Sequence, residues 1–292
     1  MRRRLLIAFL VLLPSVSVGA RAFGTEALTV MSFNIRYGTA KDGDNGWSQR
    51  RSILFDLLRE QDADLIGLQE ALDSQIAEIV AAVPGYGVIG VGRDDARNGG
   101  ELSAILFRAD RFRAAEAGTF WFSDTPSIPA STSWGNNITR ICTWARLIDR
   151  NGAAFWHFNV HLDHQSQPSR ERSTELLRQR IDSRPFPAEP VIITGDFNVG
   201  ETNRAMSTLT GGRVTDVPRP FLDTFRVLHP DESEAGTFNG FKFGNTRGEK
   251  IDYVLVQQSV EVLKAEIIRT DKDGRYPSDH FPVTARVRLP SK

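Results

Sequence analysis

The sequence predicts an α/β fold in which two β-sheets pack face to face with helices outside. Three observations carry this: short apolar, β-rich runs recur along the chain, helical patterns sit between them, and 292 residues with 40% hydrophobic content can bury a sizeable core. There is no internal repeat, low-complexity tract or long linker.

The N-terminus is read as lying outside the fold. Arg2–Arg4 precede the apolar run Leu5–Leu13, then Pro14, and small residues lead to Ala20-Arg21-Ala22. A basic start, a short apolar stretch and an A-x-A site are the marks of a secretory signal, and the run is too short to span a bilayer. Cleavage after Ala22 would remove residues 1–22, leave 23–292 as a single domain, and send the product to the periplasm or the medium. No Cys follows the apolar run, so lipoprotein attachment is not expected, and nothing after the signal is apolar enough to be a transmembrane segment.

Strands are expected at Leu28–Asn34, Ala63–Gln69, Leu102–Phe107, Thr143–Ile148, Ala154–His161, Pro190–Thr194, Ile251–Val256 and Val283–Leu289. Runs apolar on both faces suit strands buried in the middle of a layered structure. Ser48 can cap a helix with the apolar face Ile53, Leu54, Leu57 and Leu58. Asp73 can cap a second, striped by Ile76, Ile79, Val80 and Val83, and a third starts near Pro168 and carries Leu176, Leu177 and Ile181. Pro126–Asn137 reads as a surface loop, and Phe120–Phe122 as part of a buried strand.

Composition narrows the function. One cysteine, Cys142, excludes an internal disulfide framework and a thiolate zinc site. Thirty-six basic residues balance 36 acidic ones, and signal removal leaves the chain mildly acidic. That does not favour nucleic acid as the partner, because a duplex-tracking protein follows the backbone with Lys and Arg. Arg93, Arg97, Arg108, Arg111 and Arg113 form a loose cluster that a solvated face explains equally well.

The chemistry gathers at strand ends. Asn34 ends the first strand and Glu70 follows the second; Asp196 and Asn198 follow Val191–Gly195; Asp252 opens Ile251–Val256. His161 ends Phe158–His161 with Asp163 and His164 next, and Asp279 and His280 lie in Pro277–Pro282. Each alone is more often a turn residue or a cap. Turn chemistry has no reason to put carboxylates and histidines at strand ends repeatedly.

These segments carry a resemblance. Ser32–Arg36, Leu68–Glu70, Asn159–Asp163, Gly195–Asn198, Ile251–Tyr253 and Ser278–His280 resemble, in order, the motifs of the DNase-I-like endonuclease/exonuclease/phosphatase superfamily. The resemblance implies a four-layer α/β/β/α sandwich of two packed mixed sheets with outer helices, and a divalent-metal-dependent phosphoester hydrolase. Asn34, Glu70 and Asp279 are the expected ligands, since hard oxygen donors suit Mg²⁺ or Mn²⁺. Asp196 is expected to orient water or accept its proton, Asn198 to hold the geometry through its amide, His280, oriented by Asp252, to contact a non-bridging oxygen or act as acid/base, and His161 to do similar work on the other side of the phosphorus. Arg140 is the candidate substrate clamp, its guanidinium matching two phosphate oxygens, although a surface arginine in a polar loop reads nearly as well.

Paired histidines favour a phosphodiester substrate. A phosphomonoesterase on a sugar, inositol or nucleotide phosphate, a secreted nuclease and a sphingomyelinase-like lipid phosphodiesterase are the alternatives. Phe238, Phe241 and Phe243 can line a pocket for a base or sugar. A non-catalytic binding module would show a broken constellation, and a carboxylate-pair glycosidase would leave both histidines unexplained.

Overall fold

The computed structural model describes residues 26–211 and 220–291. The signal-type segment 1–22 lies outside them. Twelve strands form two six-stranded sheets among the described residues. In the first, β11 (Glu261–Ile267), β12 (Val283–Arg288), β1 (Leu28–Asn34), β2 (Leu65–Gln69), β4 (Ile105–Arg108) and β3 (Tyr86–Ile89) lie in that order. In the second the order is β5 (Phe112–Trp121), β6 (Ile141–Asp149), β7 (Ala154–His161), β8 (Val191–Asp196), β10 (Asp252–Gln257) and β9 (Phe221–Asp223). Both sheets are mixed: β1 runs parallel to β2 and antiparallel to β12, and β7 runs parallel to β8, which is antiparallel to β10.

All eight expected strands are present. The four beyond them, β3, β5, β9 and β11, are the four sheet edges, and only the Phe120–Trp121 end of β5 coincides with an expected strand segment. An edge strand is half solvated, so it shows no continuous apolar run; β11 reads Glu-Val-Leu-Lys-Ala-Glu-Ile.

Three apolar layers make the sandwich. Between the sheets lie Val30, Leu65, Phe107, Val283, Ala285 and Val287 from the first and Phe155, Ile192, Val254 and Val256 from the second. Outside the first sheet, Met31, Phe33, Ile66 and Leu68 pack on α1 (Trp47–Gln61) and α2 (Asp73–Ala82) through Leu54, Leu57, Ile76 and Ile79. Outside the second, Phe158, Val160 and Ile193 pack on α3 (Gln167–Asp182) and α4 (Arg204–Thr210). A short α5 (Thr224–Leu228) follows β9. The caps differ from expectation: Gly46, not Ser48, precedes α1, and α2 starts at Asp73 with Leu72 in the cap position. Ser166 caps α3 ahead of Pro168.

The strand period of two decides what the inner faces carry. Along β7 the inward residues are Phe155, His157, Asn159 and His161; along β8 they are Ile192, Thr194 and Asp196; along β1, Val30, Ser32 and Asn34. The inner layer therefore passes from apolar, through a polar belt, to the ionisable groups at one edge. The belt is cross-linked: Gln69 Nε2 donates to Asn159 Oδ1 at 2.7 Å, Asn159 Nδ2 to the carbonyls of Leu68 and Ala104, and Gly195 N–H to Ser32 Oγ across the sheets, while the buried Gln69 Oε1 has no hydrogen-bond partner among the described residues. Gly67 makes the approach possible, since a Cβ there would stand 2.0 Å from Thr194 Oγ1.

His157 is fully buried in this belt. Thr194 Oγ1 donates to Asn159 Oδ1, so it accepts from His157 Nε2, 2.9 Å away, and the buried His157 Nδ1 has no hydrogen-bond partner among the described residues. Burial lowers the imidazole from 6.5 to about 3. The unfolded chain then takes up a proton that the folded chain refuses between those values. Its contribution to stability is complete above pH 6.5 and is lost as the pH falls towards 3. In thermal melts between neutral pH and about pH 5, His157→Gln should lose less stability than the natural protein as the pH falls, the difference in slope being about one proton. An unchanged slope in that variant would remove His157 as the cause.

Candidate active site

The ends of β1, β7 and β8 and the start of β10 meet at one edge of the sandwich. Register does the first part of the work: Asp196 pairs with His161 on one side and with Asp252 on the other, which sets three ionisable side chains abreast. Asn34 faces them from the other sheet. Its Nδ2 donates to Asp196 Oδ2 at 2.9 Å and to Glu70 Oε1 at 3.1 Å, and lies 3.5 Å from His280 Nε2. The Asn34 Oδ1 accepts the Arg36 backbone N–H.

Three site positions leave their strands with a left-handed backbone: Arg36 (φ 56°), Glu70 (φ 57°) and Asn198 (φ 54°). That region is sparsely populated by non-glycine residues, and the hydrogen bonds around these three over-determine it. Tyr37 N–H binds Glu70 Oε2, and Asn198 N–H binds Asp196 Oδ1 while its side-chain Nδ2 donates to the Leu162 carbonyl. Asn198 thus braces the ends of β7 and β8 and holds Asp196. A fully buried arginine, Arg50, donates to the carbonyls of Ile35, Arg36, Asn45 and Pro277, and so ties the end of β1 to the segment bearing Asp279 and His280. Burial lowers its guanidinium to about 10.

Protonation follows from burial and neighbours. Asp196 is pushed up to about 7, first by burial and then by Asp252. His280 is opposed by its own burial, yet Asp252 and Asp196 raise it well above its ordinary value; its Nδ1 is 2.9 Å from Asp252 Oδ2 and its Nε2 3.8 Å from Asp196 Oδ2. His280 is therefore an imidazolium held between two carboxylates. His161 goes the other way. Burial, Arg140 and Arg93 lower it well below its ordinary value. A neutral His161 accepts at Nε2 from Arg140 Nη1 (2.9 Å), which leaves the proton on Nδ1, 3.9 Å from Glu101 Oε2. His161 Nε2 is also 3.6 Å from Asp196 Oδ2.

Arg140 is buried rather than a surface arginine. Besides His161 it donates through Nη2 to His164 Nδ1 at 2.8 Å, and its Nε is 3.5 Å from Asp163 Oδ2. Asp163 accepts the backbone N–H groups of Gln165 and Ser166, so it forms the turn and anchors Arg140 together. Glu101 was not singled out in the sequence, nor Arg93 as its partner; Arg93 holds it through two bonds of 2.7 and 2.8 Å. Glu101 follows Gly99-Gly100 in an irregular loop, and no strand end marks it. Phe238, half exposed, meets the His280 ring edge-on at 5.1 Å.

The donor chemistry fits a divalent cation. Glu70 and Asp279 offer carboxylate oxygens and Asn34 an amide oxygen, with no thiolate among them. Burial raises Asp279 against the opposing charge of His280, Arg36 and Arg50. Asp196, Asp252 and His280 form a second group whose ligand atoms all lie within 4.8 Å of one another, and Asp252 Oδ1 is buried without a hydrogen-bond partner among the described residues.

A model of the Endonuclease/Exonuclease/phosphatase family matches residues 31–280. An endonuclease/exonuclease/phosphatase family protein from Bacteroides thetaiotaomicron is 32% identical, with 91% of this chain and 99% of that chain covered and a TM-score of 0.82. A mannosyl-6-phosphatase from the same organism is 32% identical over 89% of this chain and 99% of its own, with a TM-score of 0.79. TDP2 from D. rerio, solved with a single-strand DNA product, shares the fold at 18% identity, 89% and 98% coverage and a TM-score of 0.70. No curated protein gives a significant match. With the family motifs converging on one edge and the family model spanning most of its length, the chain belongs to the endonuclease/exonuclease/phosphatase family.

Proposed function

We propose that this phosphoric ester hydrolase acts on a phosphorylated sugar by attack of water on phosphorus. One observation carries the mechanism: a single buried carboxylate, Asp196, lies within 2.9 Å of the Asn34 amide, 3.6 Å of His161 and 3.8 Å of His280. Asp196 accepts the proton of the attacking water. The new bond runs from water oxygen to phosphorus, the ester bond to the sugar oxygen breaks, and that oxygen takes a proton from solvent to leave as the free alcohol. The His280 imidazolium, kept charged by Asp252, binds a non-bridging oxygen. On the other side the Arg140 guanidinium supplies positive charge, and neutral His161, which accepts from it at Nε2, holds that guanidinium in place. Asn34, Glu70 and Asp279 would hold Mg²⁺ or Mn²⁺, which when bound polarises the P–O bonds and offsets charge on the leaving oxygen.

Three observations support a sugar monoester. The neighbour at 32% identity is a mannosyl-6-phosphatase. The phosphate end of the site gathers Arg140, His161 and protonated His280, which suits a dianion. Phe238 offers the apolar face a sugar ring needs beside them. The paired histidines keep a phosphodiester as the second reading. Export with cleavage, expected from residues 1–22, belongs to this proposal, and a protein that stays in the cytoplasm with those residues attached would remove it.

The test is a panel on purified protein: hexose 6-phosphates, nucleotides, inositol phosphates, an aryl phosphodiester, plasmid DNA and sphingomyelin. Hexose phosphates should be turned over with the highest kcat/KM. EDTA should abolish turnover, and Mg²⁺ or Mn²⁺ should restore it. Preference for a diester would overturn the substrate, and full turnover in EDTA would overturn the metal.

A further inference from the structure

Arg36 stands among the acids without being one of the groups assigned above. Its guanidinium is clamped by Asp42 through Nε at 3.0 Å and Nη2 at 2.9 Å, and it lies over the Tyr37 ring at 4.8 Å. From that fixed position Nη1 is 3.9 Å from Glu70 Oε2 and Nε is 3.8 Å from Asp279 Oδ2. Neither distance is a hydrogen bond. The cation is held beside both proposed ligand carboxylates without consuming their lone pairs. Its backbone N–H occupies the oxygen of the third, Asn34.

We propose that Arg36 is a positioning residue of the cation site, a built-in counter-charge that holds Glu70 and Asp279 close together and in exchange weakens their grip on a divalent ion. The inference rests on the metal reading given above. Two neighbouring carboxylates in a partly buried pocket repel each other, and a fixed guanidinium relieves that repulsion. The same guanidinium repels a divalent cation that settles between the carboxylates. Asp42 is what keeps the balance: by taking the two strongest hydrogen bonds of Arg36, it stops the guanidinium from collapsing onto either ligand. A site built this way binds its metal reversibly.

Mn²⁺ titration of EDTA-stripped full-length protein, read by calorimetry and by the electron spin resonance of free Mn²⁺, tests this without any activity measurement. Arg36→Met should bind Mn²⁺ about tenfold more tightly than the natural protein, the effect of removing one positive charge next to a divalent ion. Arg36→Lys, which keeps the charge, should stay within about threefold of the natural protein. Arg36→Gln replaces Arg36→Met if the latter is unfolded by circular dichroism. Equal or weaker Mn²⁺ binding in the neutral variants overturns the role of Arg36, as does tightening in Arg36→Lys. Absence of Mn²⁺ binding in the natural protein overturns the metal reading itself, so the two failures are told apart.

Discussion

Replacing Asp196 with Asn is expected to lower kcat by about three orders of magnitude with little change in KM, the loss typical of a positioned general base. The substitution keeps the shape, and an amide oxygen can still accept the Asn198 N–H that holds Asp196 Oδ1. What it loses is the proton acceptor. It also faces a new amide nitrogen towards Asn34 Nδ2, 2.9 Å from the present carboxylate oxygen, so one of the two amides must turn over. Circular dichroism and a thermal melt separate that local cost from unfolding. A folded Asp196→Asn protein with near-natural kcat on the best substrate of the panel would take Asp196 out of the mechanism.

The second large effect belongs to His280 and Asp252 as a unit. His280→Ala should cost about a thousandfold in kcat, because it removes the only buried imidazolium among the described site residues and leaves Asp196 and Asp252 facing each other. Asp252→Asn should cost about ten- to a hundredfold. It keeps the ring in place but withdraws the carboxylate 2.9 Å from Nδ1, so the imidazole titrates lower and the activity is lost at lower pH on the basic side. The double variant should be no slower than His280→Ala alone, since Asp252 acts through the ring. Full additivity of the two losses would mean that Asp252 has a separate role, such as holding the cation through its unpartnered Oδ1.

Much of the fold was legible in the residues, and the reason is burial. Most central strands of a layered structure are apolar on both faces, so β1, β2, β4, β7, β8 and β10 announced themselves, while β6 and β12 did so by an apolar inner face alternating with an outer one that carries Arg146 or Arg286 and Arg288. The edges β3, β9 and β11, and most of β5, face water on one side and did not. The helix stripes on α1, α2 and α3 were equally clear, whereas the short α4 and α5 offered too few turns for a stripe. Candidate site residues stood out where a polar side chain interrupted an apolar run. Glu101 and Arg93 sit in a loop with no such contrast, and Arg50 looks like one more charged residue on an amphipathic helix until its four carbonyl partners are seen.

The sequence by itself determined the class of fold, the order of the motifs and the kind of atoms available: carboxylates, amides and imidazoles, with no thiolate to compete. It could not decide which of those atoms meet, because a strand apolar on both faces does not say which parity looks inward, and pairing register is a property of two strands. Only the tertiary structure set His161, Asp196 and Asp252 abreast, brought Asn34 over them from the opposite sheet, and placed Arg36 beside Glu70 and Asp279. Protonation was decided there too. Two histidines of identical chemistry take opposite charge states, His161 against a guanidinium and His280 between carboxylates, since a buried ring answers to the charge it touches.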